Sequence, residues 1–168
     1  MSVTDPLTSL FNRRHLFERA QQEFSRFTRY ETAMTIVMID IDHFNQVNNS
    51  YGHVTGDIVL QEVARRLLTC IRQVDVLGRY GGEEFMVVLT ELSEEESQFV
   101  AERMRRVIAD QPVVVDNNLI RISLSVGVAS SDSDCDSLDC LIIRADKALY
   151  QSKAAGRNRV SVWRAGDS

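Results

Sequence analysis

Acidic side chains occur at two places in this sequence where they could do chemistry together. Glu83 and Glu84 follow a pair of glycines, and Asp40 follows a continuous apolar run, 36–39, typical of a strand covered on both faces. If these segments are neighbours in one sheet, the three carboxylates converge. Clustered carboxylates repel one another unless a cation lies among them, so the pattern predicts a hard divalent metal ion held by oxygen ligands.

The glycine pair identifies the element that positions the two glutamates. Gly81 and Gly82 lie between two short apolar runs, which predicts a tight β-hairpin. Glycine adopts backbone angles that other residues resist, and it leaves room for a ligand beside the main chain. The strands predicted for this site are 33–41, 76–80 and 85–89.

Helices follow from apolar residues that recur at helical spacing. Asp57 is expected in the first turn of a long helix, where the helix dipole favours a carboxylate. Ser93 and Glu96 form a capping box for the next helix, whose buried face is predicted to include Phe99. Ser137 is expected to cap the last one. The predicted helical segments are 14–29, a short stretch before Tyr51-Gly52, 58–71, 94–110, and 138 to Gly156.

The remaining strands are predicted in the second half of the chain. Apolar residues alternate strictly from Ile120 to Val128, which predicts one strand over 119–129 with a single buried face. Shorter strands are predicted at 113–115 and 160–163. The order α-β-α-α-β-β-α-β-β-α-β is typical of an α+β sandwich with helices on a mostly antiparallel sheet.

Composition limits the class of protein. A chain of 168 residues with 44% hydrophobic and 26% charged residues is ordinary for one soluble globular domain. The formal net charge of −5 argues against a nucleic-acid partner, since such binders are normally basic. Cys70, Cys135 and Cys140 match no zinc spacing and are interpreted as free thiols. The absence of a long apolar run or secretory segment favours a cytoplasmic domain without direct membrane contact.

The hairpin segment Gly81-Gly82-Glu83-Glu84-Phe85 resembles the GGEEF form of the motif that names the GGDEF family of diguanylate cyclases. Further family motifs follow in order across nearly the whole chain, which makes the resemblance specific. Ser9 departs from the opening motif, where Gly is usual. The other matching segments are 5–14, 40–45, Asn48, 51–53, 56–57, 145–150, Lys153 and 156–158.

The resemblance implies a fold similar to that of nucleotidyl cyclases and polymerase palm domains. Helices would flank a central, mostly antiparallel five-stranded sheet, and an additional β-hairpin would carry the GGEEF segment. It also implies that two GTP molecules are condensed into cyclic di-GMP with release of two pyrophosphates. Two Mg²⁺ or Mn²⁺ ions per active site would activate the attacking 3′-hydroxyl and neutralise the leaving group.

The resemblance also implies metal-binding roles at the matching positions. Asp40, the main-chain carbonyl of Ile41, Glu83 and Glu84 would ligate the metal ions. Glu83 would also be the catalytic residue that helps to deprotonate the hydroxyl. The alternative is that these carboxylates are merely solvated at the ends of strands.

The substrate-binding residues implied by the resemblance fall into two groups. Asn48 and Asp57 would recognise guanine, because a carboxylate accepts from N1–H and N2–H₂ donors that adenine lacks. Lys153 and Arg157, four residues apart, would lie on one side of the last helical turn and reach phosphates. Capping of the helices is the alternative for these charged residues. The other residues in this set are Phe44, Asn45, His53, Gly81 and Gly82, of which Phe44 and His53 also fit packing or a loop hydrogen bond.

A possible regulatory site lies upstream of the hairpin. Arg72-Gln73-Val74-Asp75 matches the family's RxxD inhibitory motif. With Arg103 on the following helix, Arg72 and Asp75 would bind the product cyclic di-GMP, because arginine forks suit guanine edges and phosphates. A surface ion pair between Arg72 and Asp75 is the alternative.

Two departures leave other functions open. Asn45 stands where the family usually has Lys, and Asn49 where Asp is usual. The first removes a cation near the phosphates, which keeps open a catalytically weak regulatory module that binds GTP or cyclic di-GMP. A cyclase that makes a mixed GMP-AMP product is a second alternative.

The expected partners follow from the product. One domain holds one GTP, so closing a ring from two nucleotides requires a homodimer whose active sites face each other. We expect residues 1–168 to form a single domain of a longer, regulated protein. In that protein an upstream sensor or receiver domain would bring two catalytic domains together.

Overall fold

The computed structural model describes residues 2–166. Met1, Asp167 and Ser168 of the predicted domain lie outside the described residues. The helices are α1 (Arg13–Tyr30), α2 (Phe44–Tyr51), α3 (His53–Leu68), α4 (Glu94–Ala109) and α5 (Leu138–Ala154). The strands are β1 (Met34–Ile41), β2 (Val76–Arg79), β3 (Glu84–Thr90), β4 (Val113–Val115), β5 (Asn118–Ile120), β6 (Leu124–Ser130) and β7 (Arg159–Val162).

The main sheet confirms the predicted α+β fold. It has five strands in the order β2-β3-β1-β6-β7, while β4 and β5 form a separate two-stranded sheet. Neighbours in the main sheet are antiparallel except β6 and β7, which are parallel. The predicted hairpin consists of β2 and β3, so it is an integral part of the sheet and not an addition to it.

Strand β1 lies at the centre of the sheet and is buried along its whole length. Val37 and Ile39 belong to a core shared with α3 and α4, whereas Ile36 and Met38 belong to a second core shared with α1 and α5. Helices therefore cover both faces, which explains why β1 requires an uninterrupted apolar run. The last residues of β1 therefore lie at a fixed position between β3 and β6.

Polar side chains cap the N-termini of α4 and α5. The predicted capping box is confirmed: the Ser93 hydroxyl accepts from the main-chain N–H of Glu96, and the Glu96 carboxylate accepts from that of Ser93. Ser137 caps α5 by accepting from the N–H of Cys140 at 3.1 Å. Such caps satisfy backbone donors that a helix leaves unpaired at its start.

The prediction of one continuous strand over 119–129 was wrong. The chain forms β5, leaves the strand conformation at 121–123, and enters β6 in a different sheet. The prediction of a single buried face was also wrong, because β6 is buried on both faces from Leu124 to Ala129. Helix α5 covers the second face, and Gly127 permits its backbone to come close.

Two predicted positions on helices differ from the structure. Gly52 alone separates α2 from α3, so α3 begins at His53 and places Asp57 in the second turn, exposed, and not in the first. Phe99 is 69% exposed, because the inward face of α4 is formed by Ser97, Ala101, Met104 and Ile108.

The end of the last helix also differs from the prediction. Helix α5 ends at Ala154, before Gly156. Arg157 therefore lies beyond the helix, and not on its last turn as predicted. None of the helices within residues 2–166 has the length and apolar character needed to cross a bilayer.

Replacing Gly127 with alanine should destabilise the fold. The added Cβ would lie 2.2 Å from the Leu149 nitrogen and 2.3 Å from the Ala145 oxygen, both backbone atoms of α5. We expect a loss of about 2–3 kcal/mol in the free energy of unfolding, measured by urea denaturation.

Gly82→Ala is the matched control for this substitution. An added Cβ there meets nothing within 4 Å, so the free energy of unfolding should change by less than about 0.5 kcal/mol. Equal stabilities of the two variants would contradict the described packing of α5 on β6.

Candidate active site

The site begins where the hairpin turns beside the end of β1. Asp40 and Glu84 are directly opposite each other in the pairing of β1 with β3. The main-chain N–H of Ile41 donates to the Glu83 carbonyl at 3.2 Å, which extends this pairing to the tip. The predicted neighbourhood of the two acidic segments is therefore confirmed.

The tip of the hairpin is tightly turned. The N–H groups of Tyr80 and Gly81 both donate to the Glu84 carbonyl, at 2.8 and 3.1 Å. A Cβ on Gly81 would lie 3.0 Å from a carboxylate oxygen of Glu84, whereas Gly82 has open space around it. Gly81 thus permits the close turn, and Gly82 leaves the main chain accessible beside Glu83.

Arg79 fixes the tip to the start of the chain. Its guanidinium donates to the Gly82 carbonyl at 2.7 Å and to the Gly81 carbonyl at 3.2 Å. The same group forms an ion pair with Asp5 at 3.3 Å. Sequence reasoning assigned no site role to Asp5 or Arg79, although Asp5 opens a motif that it had matched and Arg79 lies two residues before the GGEEF segment. Their contacts give the tip a fixed geometry that the glycines alone would not provide.

The electrostatics of the site are dominated by like charges. Burial raises the pKa of Glu83 and Glu84, and the negative charge of Asp40 raises both further. Asp146 on α5 adds to the effect at Glu84. Lys153 acts in the opposite direction: its ammonium lies 2.5 Å from Oδ2 of Asp40, which is buried.

The donor set is chemically suited to a divalent metal ion. Asp40, Glu83, Glu84 and the Ile41 carbonyl offer the oxygen ligands that Mg²⁺ and Mn²⁺ prefer. Within residues 2–166, no three acidic, histidine or cysteine side chains are close enough together to enclose an ion. The Lys153 ammonium supplies positive charge beside Asp40. The assignment of these residues as metal ligands stays a prediction.

A polar cavity of about 350 Å³ opens beside these carboxylates. It brings together predicted residues from three segments of the chain, including Lys153 and Arg157, which were expected to reach phosphates. Arg157 reaches the cavity from a turn, residues 156–158, that follows α5. The cavity is lined by Asp40, Ile41, Asp42, His43, Phe44, Asn45, Gln46, Glu83, Lys153 and Arg157.

The predicted guanine-binding residues lie at the junction of α2 and α3. A Cβ on Gly56 would lie 1.9 Å from Oδ1 of Asn48, so the half-buried Asn48 amide lies directly against α3. Asp57, next in the chain, is exposed, as is His53 one turn before it. Phe44 is only 6% exposed and packs in the core, which supports a packing role although the residue also borders the cavity.

The predicted inhibitory residues lie at the opposite end of β3. Arg72 binds Asp75 with both arms of its guanidinium, at 3.1 and 2.8 Å, and donates to the Thr90 carbonyl at 2.6 Å. Arg103 donates to the carbonyl of Cys70 in the same region. Thr90 and Glu84 are at opposite ends of β3, so about 20 Å separates this region from the hairpin tip.

Sequence reasoning missed Asp42, which lines the cavity two residues after Asp40. Its carboxylate accepts from the hydroxyls of Ser123 and Ser125, both at 2.6 Å, and from the main-chain N–H of Asn158 at 3.0 Å. The i, i+2 spacing signals that Asp40 and Asp42 share one face of the strand. It does not reveal that their partners differ.

Comparison with known proteins agrees with the motifs. The family described as "Diguanylate cyclase, GGDEF domain" matches residues 2–159. Diguanylate cyclase A of Treponema denticola is 41% identical over 166 residues, which cover 96% of this chain and 44% of that protein. The chain thus spans less than half of this curated relative, and the same holds for the Response regulator PleD, of which it covers 36%.

Solved structures show the same fold. The GGDEF domain of DgcB from Caulobacter crescentus, solved in complex with c-di-GMP, is 30% identical with a TM-score of 0.91 over 96% of each chain. The active GGEEF domain of a diguanylate cyclase from Vibrio cholerae is 35% identical, with a TM-score of 0.86 over 91% of this chain and 97% of that one. The chain therefore belongs to the GGDEF domain family of diguanylate cyclases.

Proposed function

We propose that this domain condenses two molecules of GTP into cyclic di-GMP and releases two pyrophosphates. The observation that carries the proposal is the pairing of Asp40 with Glu84 at the hairpin tip, beside a polar cavity that also contains Lys153 and Arg157. Acidic groups for a metal ion and cations for a triphosphate are thus combined in one place. The family relationship supports the same reaction.

In the proposed reaction, the 3′-hydroxyl of one GTP attacks the α-phosphate of the other. Glu83 accepts the hydroxyl proton. Lys153 and Arg157 balance the charge of the triphosphate and of the departing pyrophosphate. Asp40, Glu83, Glu84 and the Ile41 carbonyl would hold Mg²⁺ or Mn²⁺, which would supply Lewis-acid stabilisation of the phosphate oxygens.

Substrate choice is proposed to reside at the junction of α2 and α3. Asp57 is exposed and available to accept from the N1–H and N2–H₂ groups of guanine, and the Asn48 amide lies against the same helix turn. Asn45 lines the cavity at a position where the family usually has a lysine. Because asparagine carries no charge, the positive charge of the cavity lining comes from Lys153 and Arg157. This arrangement predicts weaker GTP binding, not a different reaction.

Regulation is proposed at the far end of β3. Arg72, Asp75 and Arg103 would bind cyclic di-GMP there, away from the active site. The Arg72 side chain is 46% exposed despite its ion pair, which leaves part of the guanidinium accessible to a ligand. We also propose that the domain acts in the cytoplasm, as expected from the sequence. Control by a further domain is proposed because two curated relatives are more than twice as long as this chain.

Glu83→Gln tests the proposed base directly. The substitution keeps the size of the side chain and removes its negative charge, so formation of cyclic di-GMP from GTP and Mg²⁺ should fall by at least about 100-fold. Product is measured by chromatography, with ATP added in parallel to detect a mixed GMP-AMP product.

Glu95→Gln is the matched control, because Glu95 is exposed on α4. It should retain the rate of the unaltered protein. A protein that binds GTP but forms no cyclic product at all would instead support the regulatory-module alternative.

Glu84→Gln should increase the stability of the metal-free protein at neutral pH. The pKa of Glu84 is raised in the folded state from an ordinary value of 4.5, so the folded state binds the proton more tightly than the unfolded state does. The associated stabilisation is complete below about pH 4.5 and is lost as pH rises through the raised pKa. The variant should therefore unfold at higher urea concentration at pH 7.5, with a smaller difference at pH 4.

Added Mg²⁺ should reverse this order, because an ion bound only to the folded state stabilises it and needs the Glu84 carboxylate. Unfolding is followed with EDTA and then with Mg²⁺. A variant that gains as much stability from Mg²⁺ as the unaltered protein would argue against Glu84 as a ligand.

Activity should depend on protein concentration if the ring is closed across two domains. Below the dissociation constant of the dimer, a tenfold dilution should lower the rate per mole of protein by about tenfold. Initial rates are measured over several decades of concentration at saturating GTP. A rate per mole that stays constant down to concentrations at which sedimentation shows only monomer would contradict the dimeric mechanism.

A further inference from the structure

We propose that Asp42 is a positioning residue that holds the 156–158 turn and thereby sets the place of Arg157 in the cavity. It does not act as a metal ligand, although it follows the predicted ligand Asp40 by only two residues. The proposal rests on the proposed function only in taking Arg157 as a contact to the phosphates of GTP.

The carboxylate of Asp42 already accepts three hydrogen bonds from the protein. Asp42 is buried, with only 5% of its surface exposed. Oδ1 accepts from the Ser125 hydroxyl at 2.6 Å, and Oδ2 accepts from the Ser123 hydroxyl at 2.6 Å and from the Asn158 N–H at 3.0 Å. Metal coordination through Oδ2 would disturb two of these contacts in a buried position, where unpaired polar groups are costly.

The turn that Asp42 holds has an unusual backbone. Gly156, Arg157 and Asn158 have φ values of 119°, 66° and 46°, so three consecutive residues have positive φ. Glycine adopts such angles freely and asparagine tolerates them, so the angle is least favourable at Arg157. A run of this kind persists only where its surroundings fix it, and the Asn158 N–H donated to Asp42 is such a fixing contact.

A second contact holds the turn from the other side. The Oδ1 atom of Asn158 accepts from the Arg105 guanidinium at 2.8 Å. Arg105 is itself bound to Glu102 on the same helix. Asn158 is therefore held by its main chain towards the cavity and by its side chain towards α4, which leaves the neighbouring Arg157 little freedom to move.

The path from Asp42 to Arg157 is short and rigid. The Ser125 hydroxyl belongs to β6, where Ser125 pairs with Arg159 at the start of β7. One carboxylate thus joins the end of β1, the start of β6 and the turn before β7. Removing it should allow the turn to relax and should displace Arg157 from the phosphates.

The test is Asp42→Asn, compared with Arg157→Ala and with the double variant. An asparagine cannot accept all three hydrogen bonds, so we expect the KM for GTP to rise by at least about tenfold while kcat changes by less than about threefold. Because both residues would act through one contact, the effect of the double variant on KM should be close to that of Arg157→Ala alone. Asp139→Asn, an exposed acid on α5, is the matched control and should leave KM unchanged.

Two outcomes would overturn the proposal. If Asp42→Asn raises the Mg²⁺ concentration needed for half-maximal activity and leaves the KM for GTP unchanged, Asp42 acts on the metal ion. If its effect on KM multiplies fully with that of Arg157→Ala, the two residues act independently.

Hydrogen exchange tests the anchoring contact without any nucleotide. The Asn158 amide should exchange at least about tenfold faster in Asp42→Asn than in the unaltered protein, and an unchanged rate would refute the anchoring. Because it needs no nucleotide, this measurement tests the anchoring even if the protein does not make cyclic di-GMP.

If Asp42→Asn does not fold, Ser123→Ala provides a milder variant. It should also raise the KM for GTP, and no rise in KM would count against the proposal.

Discussion

Repulsion among carboxylates is the constraint on which this site depends. Antiparallel pairing puts Asp40 opposite Glu84, and the hairpin puts Glu83 beside them. Burial and the negative charge of Asp40 raise the pKa of both glutamates, while Lys153 offsets part of the excess charge. Such an arrangement is unfavourable for an isolated fold and favourable for binding a cation. The cluster therefore lowers the stability of the fold, and the remainder of the domain must be stable enough to tolerate it.

The central sheet provides that stability. β1 is buried along its length, packed between β3 and β6 and covered by helices on both faces. A strand held in this way cannot slip by one residue without exchanging the contents of the two cores. Its register fixes Asp40 opposite Glu84 and fixes Asp42 near β6, so packing far from the cavity determines the geometry at the cavity.

Asp40 and Asp42, two acidic residues near the end of β1, have different binding partners. Asp40 forms an ion pair with Lys153, whereas Asp42 accepts hydrogen bonds from β6 and from the 156–158 turn. Lys153 and Arg157 show the same division: one is on the last turn of α5 and the other beyond the helix. The cavity is thus assembled from the ends of several elements, and each of its charged groups depends on contacts made by a different part of the chain.

The sequence by itself determined the class of fold, the hairpin, the capping box and the family, because these follow from local spacing and from short motifs, each made of residues that are close together in the chain. It also indicated that Asp40, Glu83 and Glu84 belong to one site. Only the tertiary structure decided that 119–129 is broken between two sheets, that Phe99 faces outward, and that Arg157 leaves the helix. Only the tertiary structure decided, too, which groups donate hydrogen bonds to Asp42. They are the hydroxyl of Ser123, just before β6, the hydroxyl of Ser125 in β6, and the main-chain N–H of Asn158 near the end of the chain. Such contacts join residues more than 80 positions apart, and no local pattern records which partner a buried carboxylate will find.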